Sequence, residues 1–291
     1  MKEIVVISGK GGTGKTSIAA SFAVLADRPV VADCDVDAAD LHLILAPEPR
    51  ERHEFRSGRV AVVRPADCTG CGVCAGLCRF GAAAPAGGGT VYAIDPVSCE
   101  GCGVCVRFCP ARAIDFPERL CGEWMVSETR CGPMVHARLA AAVGNSGKLV
   151  ATVRREARRV AAEADRGLIV VDGPPGIGCP VIASVGGASL VVAVAEATVS
   201  GAHDLDRVLS LARHFNVRAA VCVNKWDINP AAAEAIEAMA ADRGAVAAGR
   251  VPYDPAVTES QMRGTTIVEH GGGPAAAAVA ECWKTICNAI S

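Results

Sequence analysis

Two sets of residues in this 291-residue chain have the types and spacing for chemistry. The first is Gly9-Lys10-Gly11-Gly12-Thr13-Gly14-Lys15-Thr16, with Ser17 after it, set between the apolar run Ile4-Val5-Val6-Ile7 and a helix-like run to Leu25. Glycines at this spacing let backbone N–H groups close around phosphate oxygens, and a helix starting at the loop adds the partial positive charge of its N-terminus. Lys15 would reach the terminal phosphates and Thr16 would hold Mg²⁺. The second set is an internal repeat: Cys68, Cys71, Cys74 and Cys78, then Cys99, Cys102, Cys105 and Cys109, each within the pattern C-x-G-C-G-V-C-x-x-x-C. Thiolates so arranged suit iron–sulfur chemistry, and the glycines let the backbone wrap tightly enough to point N–H groups at sulfur.

Acidic residues close several of the apolar runs that must position these sets. Pro29-Val30-Val31-Ala32 reads as a buried strand ending in Asp33-Cys34-Asp35-Val36-Asp37, and residues 168–171 as another ending in Asp172, ahead of Gly173-Pro174-Pro175-Gly176. Ligands bind at the carboxyl ends of strands in an open α/β sheet, so these acids face the nucleotide. Asp37 and Asp40 fit equally well as helix N-caps. Residues 189–195, 219–223 and 245–251 read as further strands, the last two leading into Asn224-Lys225-Trp226-Asp227 and Pro252-Tyr253-Asp254. Helices are expected over 155–165 and 202–215, from Gly132-Pro133, and from Pro274 onward. Residues 59–63 and 120–126 read as strands, and 47–56 as polar and irregular.

Composition narrows the function classes. A hydrophobic share of 51% against 21% charged is ample for a buried core. A formal net charge of −2 gives no electrostatic footprint for nucleic acid or an anionic membrane, and 4% aromatic residues leave little for base stacking. The cluster Arg154-Arg155 with Arg158-Arg159 reads as a solvated helix face. Fifteen cysteines, an odd number, argue against a disulfide scaffold. Met1 leads straight into the first strand, which points to the cytoplasm. No apolar run approaches the ~18 residues of a membrane span.

With Lys10 directly after its first glycine, the phosphate loop resembles that of the deviant-Walker P-loop ATPases, the group of Min- and Par-type proteins, nitrogenase iron protein and metal-cofactor chaperones. The resemblance implies a homodimer with ATP at its interface, Lys10 crossing to the partner's nucleotide. It also implies that Asp35 orients the attacking water, Asp33 supports the Mg²⁺ shell, Asp172 is the Walker B acid, and the Gly-Pro-Pro-Gly loop is switch II. Asn-Lys-x-Asp is the guanine-reading motif of GTPases, but in the resembled group an Asn at this strand end reads adenine. Asn224 is thus the base contact, with the backbone at Pro252 beside it; ATP is favoured and GTP stays open.

The cysteine repeat resembles the run of bacterial two-cluster ferredoxins, in which three close cysteines hold one [4Fe-4S] cluster and the fourth ligates the other. Cluster one would take Cys68, Cys71, Cys74 and Cys109, and cluster two Cys99, Cys102, Cys105 and Cys78. Zinc ribbons pair C-x-x-C knuckles and need no fourth cysteine at this spacing. The implied fold is an α/β P-loop NTPase with a mostly parallel sheet, residues 1–64 and 118–291, carrying an inserted α+β ferredoxin-like domain over 65–117. The implied function is an ATP-hydrolysing iron–sulfur protein whose nucleotide-driven dimer changes gate electron transfer to a redox or metalloprotein partner. The alternative is a carrier or assembly ATPase for iron–sulfur or other metallocofactors. Cys179 and Cys131 could supply a further shared cluster, but Cys179 reads better as a buried thiol, and Cys34 and Cys222 as core residues.

Overall fold

The computed structural model describes residues 1–140, 144 and 146–291. The chain divides into two compact units: Met1–His53, Glu123–Arg138 and Ser146–Ser291 form one, Glu54–Gly122 and Leu139–Asn145 the other.

The first unit is built on short runs rich in Val, Ile and Ala, which favour strands buried on both faces. Strand order in the sheet is Val246–Val251, Ala219–Asn224, Leu190–Glu196, Lys2–Ser8, Leu168–Pro175, Val30–Asp33, Gly132–Leu139, Glu118–Thr129 and Glu48–Arg59. The pairings from Val246–Val251 across to Gly132–Leu139 are parallel. Lys2–Ser8 therefore lies between Leu190–Glu196 and Leu168–Pro175, which brings the chain after Ser8 beside Asp172. Helix Lys15–Leu25 buries Ile18, Ala19 and Phe22 against the sheet and against helix Pro274–Ile290; the Phe22 and Trp283 rings lie 5.2 Å apart. Among the described residues no helix is long and apolar enough to cross a membrane.

Two expectations about these elements fail here. Residues 47–56 are not irregular but part of strand Glu48–Arg59, at the end of the sheet order, with ten of its twelve residues exposed. An exposed strand at a sheet edge leaves no apolar alternation to read. Gly132-Pro133 opens a strand, not a helix. It follows Glu118–Thr129 after two residues and buries Met134, Val135 and Ala137, positions whose packing only the neighbouring strand reveals.

The second unit is small and loop-rich. Antiparallel pairs Val62–Val63 with Ile114–Asp115 and Ala83–Ala86 with Val91–Ile94 flank two one-turn helices, Val73–Leu77 and Val104–Arg107, which pack on each other. The strand expected over 59–63 is split: Arg59 ends the strand Glu48–Arg59, and Val62–Val63 form a separate short one. The sequence repeat is a structural one. Gly70 and Gly101 adopt φ of +68° and +65°, and a Cβ on them would stand 2.6 Å from the Thr90 carbonyl oxygen and 2.3 Å from that of Arg59. Only glycine fits either place.

Ser127 Oγ and His136 Nε2 meet at 2.7 Å inside the first unit. Burial, with the charges of His42, Arg138 and Arg52, lowers the His136 pKa from 6.5 to about 4. The unfolded chain takes up its proton first as pH falls, so stability is full above pH 6.5 and declines between 6.5 and 4, by up to about 3 kcal/mol. Urea unfolding at pH 7.5 and 4.5 is expected to show that His136→Gln loses about 2 kcal/mol less than the parent over this interval. Equal losses would mean that His136 is not buried neutral.

Candidate functional site: a nucleotide groove and two cysteine-lined cavities

The loop between Lys2–Ser8 and Lys15–Leu25 turns on glycines in the left-handed region, Gly12 at φ +80° and Gly14 at φ +86°. A Cβ on Gly14 would stand 2.4 Å from Asn224 Nδ2, so the loop is pressed against the end of strand Ala219–Asn224. Gly9 serves packing: a Cβ there would lie 2.2 Å from Asp204 Cβ.

Lys15 is 6% exposed, and its Nζ lies 2.6 Å from Asp172 Oδ1 and 3.3 Å from Asp35 Oδ2. Burial lowers an ammonium's pKa, but Asp172 and Asp35 outweigh it and hold Lys15 above its usual value. Asp33 is fully buried and pushed well up, first by burial and then by the like charge of Asp172. Asp35 is raised for the same two reasons, against the pull of Lys15. The Asp33 Oδ1 accepts from the Asp35 N–H at 3.1 Å, while Asp33 Oδ2 and Asp172 Oδ2 are buried with no partner among the described residues. Thr16 Oγ1 is 3.3 Å from Lys15 Nζ. Two cavities sharing Gly12, Gly14, Ser17 and Gln261 adjoin along this loop. One, of about 1120 Å³, runs from Gly11 and Thr13 past Lys15 and Thr16 to Asp35 and Pro175. The other, of about 790 Å³, is bounded by Asn224, Lys225, Pro252 and Tyr253.

Asn224 Nδ2 donates to the Thr13 carbonyl at 2.7 Å, and its Oδ1 accepts from the Lys225 N–H at 3.0 Å. Asp227 Oδ1 accepts from the Tyr253 N–H at 2.7 Å, tying the Pro252-Tyr253 wall to the 224–227 turn. Lys10 Nζ reaches Glu196 Oε2 at 3.2 Å and Ser200 Oγ at 3.3 Å within its own chain. Lys225 Nζ shares the same carboxylate at 2.7 Å and the Gly12 carbonyl at 3.3 Å. Burial raises the Glu196 pKa, but hydrogen bonds from Lys225 and Lys10 prevail and hold it low.

Sequence reading missed Glu196 and Gln261. Glu196 ends an apolar strand as Asp33 does, a signal readable from the sequence. Gln261, whose Nε2 donates to Ser17 Oγ at 2.6 Å, carried none, because it lies far along the chain in helix Pro255–Met262. Cys179 is exposed at the start of helix Cys179–Val185, which corrects its reading as a buried thiol; the turn from the Gly-rich loop presents it to solvent. Cys131 packs against Leu41, Ile44 and Met134, and Cys34 and Cys222 are buried.

In the second unit, one small cavity is lined by Cys68, Cys71, Cys74 and Cys109, with Tyr92 and Ile114 in its wall. Another is lined by Cys78, Cys99, Cys102 and Cys105, with Phe80 and Ile94. Each cavity thus gathers three cysteines of one repeat and the last cysteine of the other. The Ala113 N–H donates to Cys109 Sγ at 3.4 Å. Among the described residues no group of three or more His, Cys, Asp or Glu side chains is gathered closely enough to hold a single metal ion.

Residues 4–267 match the model of the CobQ/CobB/MinD/ParA nucleotide binding domain, and the chain belongs to this P-loop ATPase family. It is 35% identical over 231 residues to the uncharacterized protein MJ0578 of Methanocaldococcus jannaschii, covering 78% of this chain and 79% of that one. Its fold is similar to that of MinD in the MinC:MinD cell division complex of Aquifex aeolicus, with 21% identity, a TM-score of 0.59, and 99% and 96% of the two chains covered. It is also similar to MinD complexed with Mg-ADP from Pyrococcus horikoshii, with 15% identity, a TM-score of 0.57, and 98% and 95% covered. At these identities the likeness is one of fold.

Gly14→Ala would force a left-handed residue into the Asn224 amide. Titration with a fluorescent adenine nucleotide is expected to show a loss of affinity on the order of 100-fold, equivalent to about 3 kcal/mol. Parental affinity would mean that the loop does not hold the phosphates.

Proposed function

We propose that the chain is an ATP-hydrolysing iron–sulfur protein in which nucleotide binding at a homodimer interface governs electron transfer through two [4Fe-4S] clusters. The observation that carries this reading is the sorting of eight cysteines into two cavities, each with three from one repeat and the fourth from the other. That is the ligand crossing of the two-cluster ferredoxin run. The cavity walls, apart from sulfur, are largely apolar or backbone, with N–H groups available to sulfur, which suits a bulky thiolate-bound group. When bound, each cluster would take up and release one electron. The ferredoxin-like module of the reading is residues 65–117, and the ATPase module 1–64 with 118–291.

On the nucleotide side, the unpartnered Asp172 Oδ2 and Asp33 Oδ2 fit a Mg²⁺ site completed by Thr16, which would offset phosphate charge. Gly9 to Ser17 wrap the phosphates. Lys15 is already buried among the acids and needs only to exchange a carboxylate for a phosphate oxygen. Asp35, on the wall of the larger cavity, would orient the attacking water. Lys10 would leave Glu196 for the nucleotide of a second copy, and Lys225 remains to hold Glu196.

Base choice follows from hydrogen-bond arithmetic. A primary amide has two donor hydrogens and two acceptor lone pairs, and the contacts to Thr13 and Lys225 use one of each. One donor and one acceptor remain, the pair that matches adenine N7 and N6 and mismatches guanine N7 and O6. Asp227, the residue that would read guanine, is bound to the Tyr253 N–H. Competition binding is expected to favour ATP over GTP by about 10-fold or more; a preference for GTP would sink the assignment.

The test of the function itself is anaerobic purification with iron and sulfide analysis, followed by EPR of the reduced protein with and without ATP. About eight iron and eight sulfide per chain are expected, with EPR or reduction kinetics that respond to ATP. Lys10→Ala is expected to bind nucleotide and keep its iron while losing ATP-dependent dimerisation by light scattering and most of its hydrolysis. Stoichiometric zinc in place of iron, or dimerisation indifferent to Lys10, would overturn the reading. ATP-dependent release of iron to an apo-protein, with no reversible reduction, would favour the carrier alternative.

A further inference from the structure

The two short helices of the second unit leave an apolar face uncovered. Val73, Leu77 and Val104 are 36%, 44% and 38% exposed, and Phe80 and Phe108 37% and 58%. Helices Val73–Leu77 and Val104–Arg107 pack on each other. Four of these five apolar residues are chain neighbours of a cavity cysteine, next to Cys74, Cys78, Cys105 and Cys109, and Phe80 itself lines the second cavity. These apolar side chains are thus left in solvent beside residues of both cysteine cavities, against the usual tendency to bury such groups.

Two arginines lie against exposed phenyl rings of this unit. Arg79 Cζ stands 5.0 Å from the Phe80 ring centroid and Arg107 Cζ 5.9 Å from that of Phe108. The ion pairs of this unit engage Arg56 with Glu54 and Arg64 with Asp67 and Asp115, leaving Arg79 and Arg107 in none of them among the described residues. The carboxylate in the cavity walls is Glu100, at the second cavity. A pair of arginines spread over exposed phenyl rings with no acid to neutralise them is complementary to an acidic, partly apolar surface.

We infer that this face, centred on Leu77, Phe80, Phe108, Arg79 and Arg107, docks a small acidic electron-carrier protein. The inference rests on the iron–sulfur reading above. With clusters held by the eight cavity cysteines, one electron would leave the reduced carrier, oxidising it by one, and be taken up at those cysteine-bound centres, with no proton or further reactant needed. The arginines steer the encounter, and the apolar residues hold the carrier over the cysteines.

The probe is a reduced, acidic [2Fe-2S] ferredoxin, mixed anaerobically in stopped flow with the oxidised holoprotein at low and high salt. Arg79→Glu with Arg107→Glu is expected to slow transfer at least 10-fold at low salt, with the gap closing at high salt as the charges are screened. Phe108→Ser is expected to slow it at both. Reduction by the small mediator methyl viologen reports that the clusters of each variant are intact and is expected to stay within 2-fold. Iron-loaded variants that accept electrons from the ferredoxin at the parental rate, or faster after charge reversal, would overturn the docking face while leaving the iron–sulfur reading in place. Protein that carries no iron would end both, and iron analysis separates the two failures.

Discussion

A charged lysine buried at the carboxyl edge of the sheet is the constraint around which the nucleotide unit is arranged. Lys15 could not sit at 6% exposure without Asp172 and Asp35 beside it, because an uncompensated buried ammonium costs several kcal/mol. That requirement fixes which strands must be neighbours. Lys2–Ser8 delivers the loop, Leu168–Pro175 beside it delivers Asp172, and Val30–Asp33 beyond delivers Asp33 and leads to Asp35. Burial first, and then the like charge of Asp172, hold Asp33 and Asp35 above their ordinary pKa values against the pull of the one lysine. Such a cluster has a standing affinity for cationic charge, as a Mg²⁺-nucleotide site requires.

The same sheet edge carries a second, looser arrangement around Glu196. This carboxylate holds Lys10 and Lys225 together, and Lys225 in turn touches the Gly12 carbonyl of the loop. Where Lys15 is locked by burial, Lys10 is a third exposed, so its ion pair is weak and exchangeable. On the proposed reading, in which Lys10 serves a second copy, a surface pair releases it more readily than a buried one would.

In the cysteine-bearing unit, order comes from backbone shape more than from a large core. Gly70 and Gly101 each press against a carbonyl that any side chain would strike. Equivalent glycines at Gly72 and Gly103 lie under Tyr92 and Phe116. The repeat thus produces two similar loops with different aromatic covers, one bearing a hydroxyl and one not. The apolar residues left outside follow from the same economy: a chain this short cannot bury both its thiols and its phenyl rings.

Residue type and spacing alone determined the phosphate loop, the acids that end apolar strands and the doubled cysteine run, because each is a local pattern whose chemistry needs particular atoms a few residues apart. The parallel sheet followed from short apolar runs alternating with helical ones. Tertiary structure decided the rest. Glu48–Arg59 and Gly132–Leu139 are strands because of what pairs with them; the first has too few buried residues to reveal its period. Asn224 could be named as a base contact, but its commitment of one donor and one acceptor to Thr13 and Lys225 depends on two segments more than two hundred residues apart in the chain. Glu196 acquires its meaning only when Lys10 and Lys225 arrive from either side, and the grouping of Cys109 with Cys68 is a matter of how the loops close in space. Local chemistry is written in neighbouring residues, whereas partnership across the chain is fixed by packing.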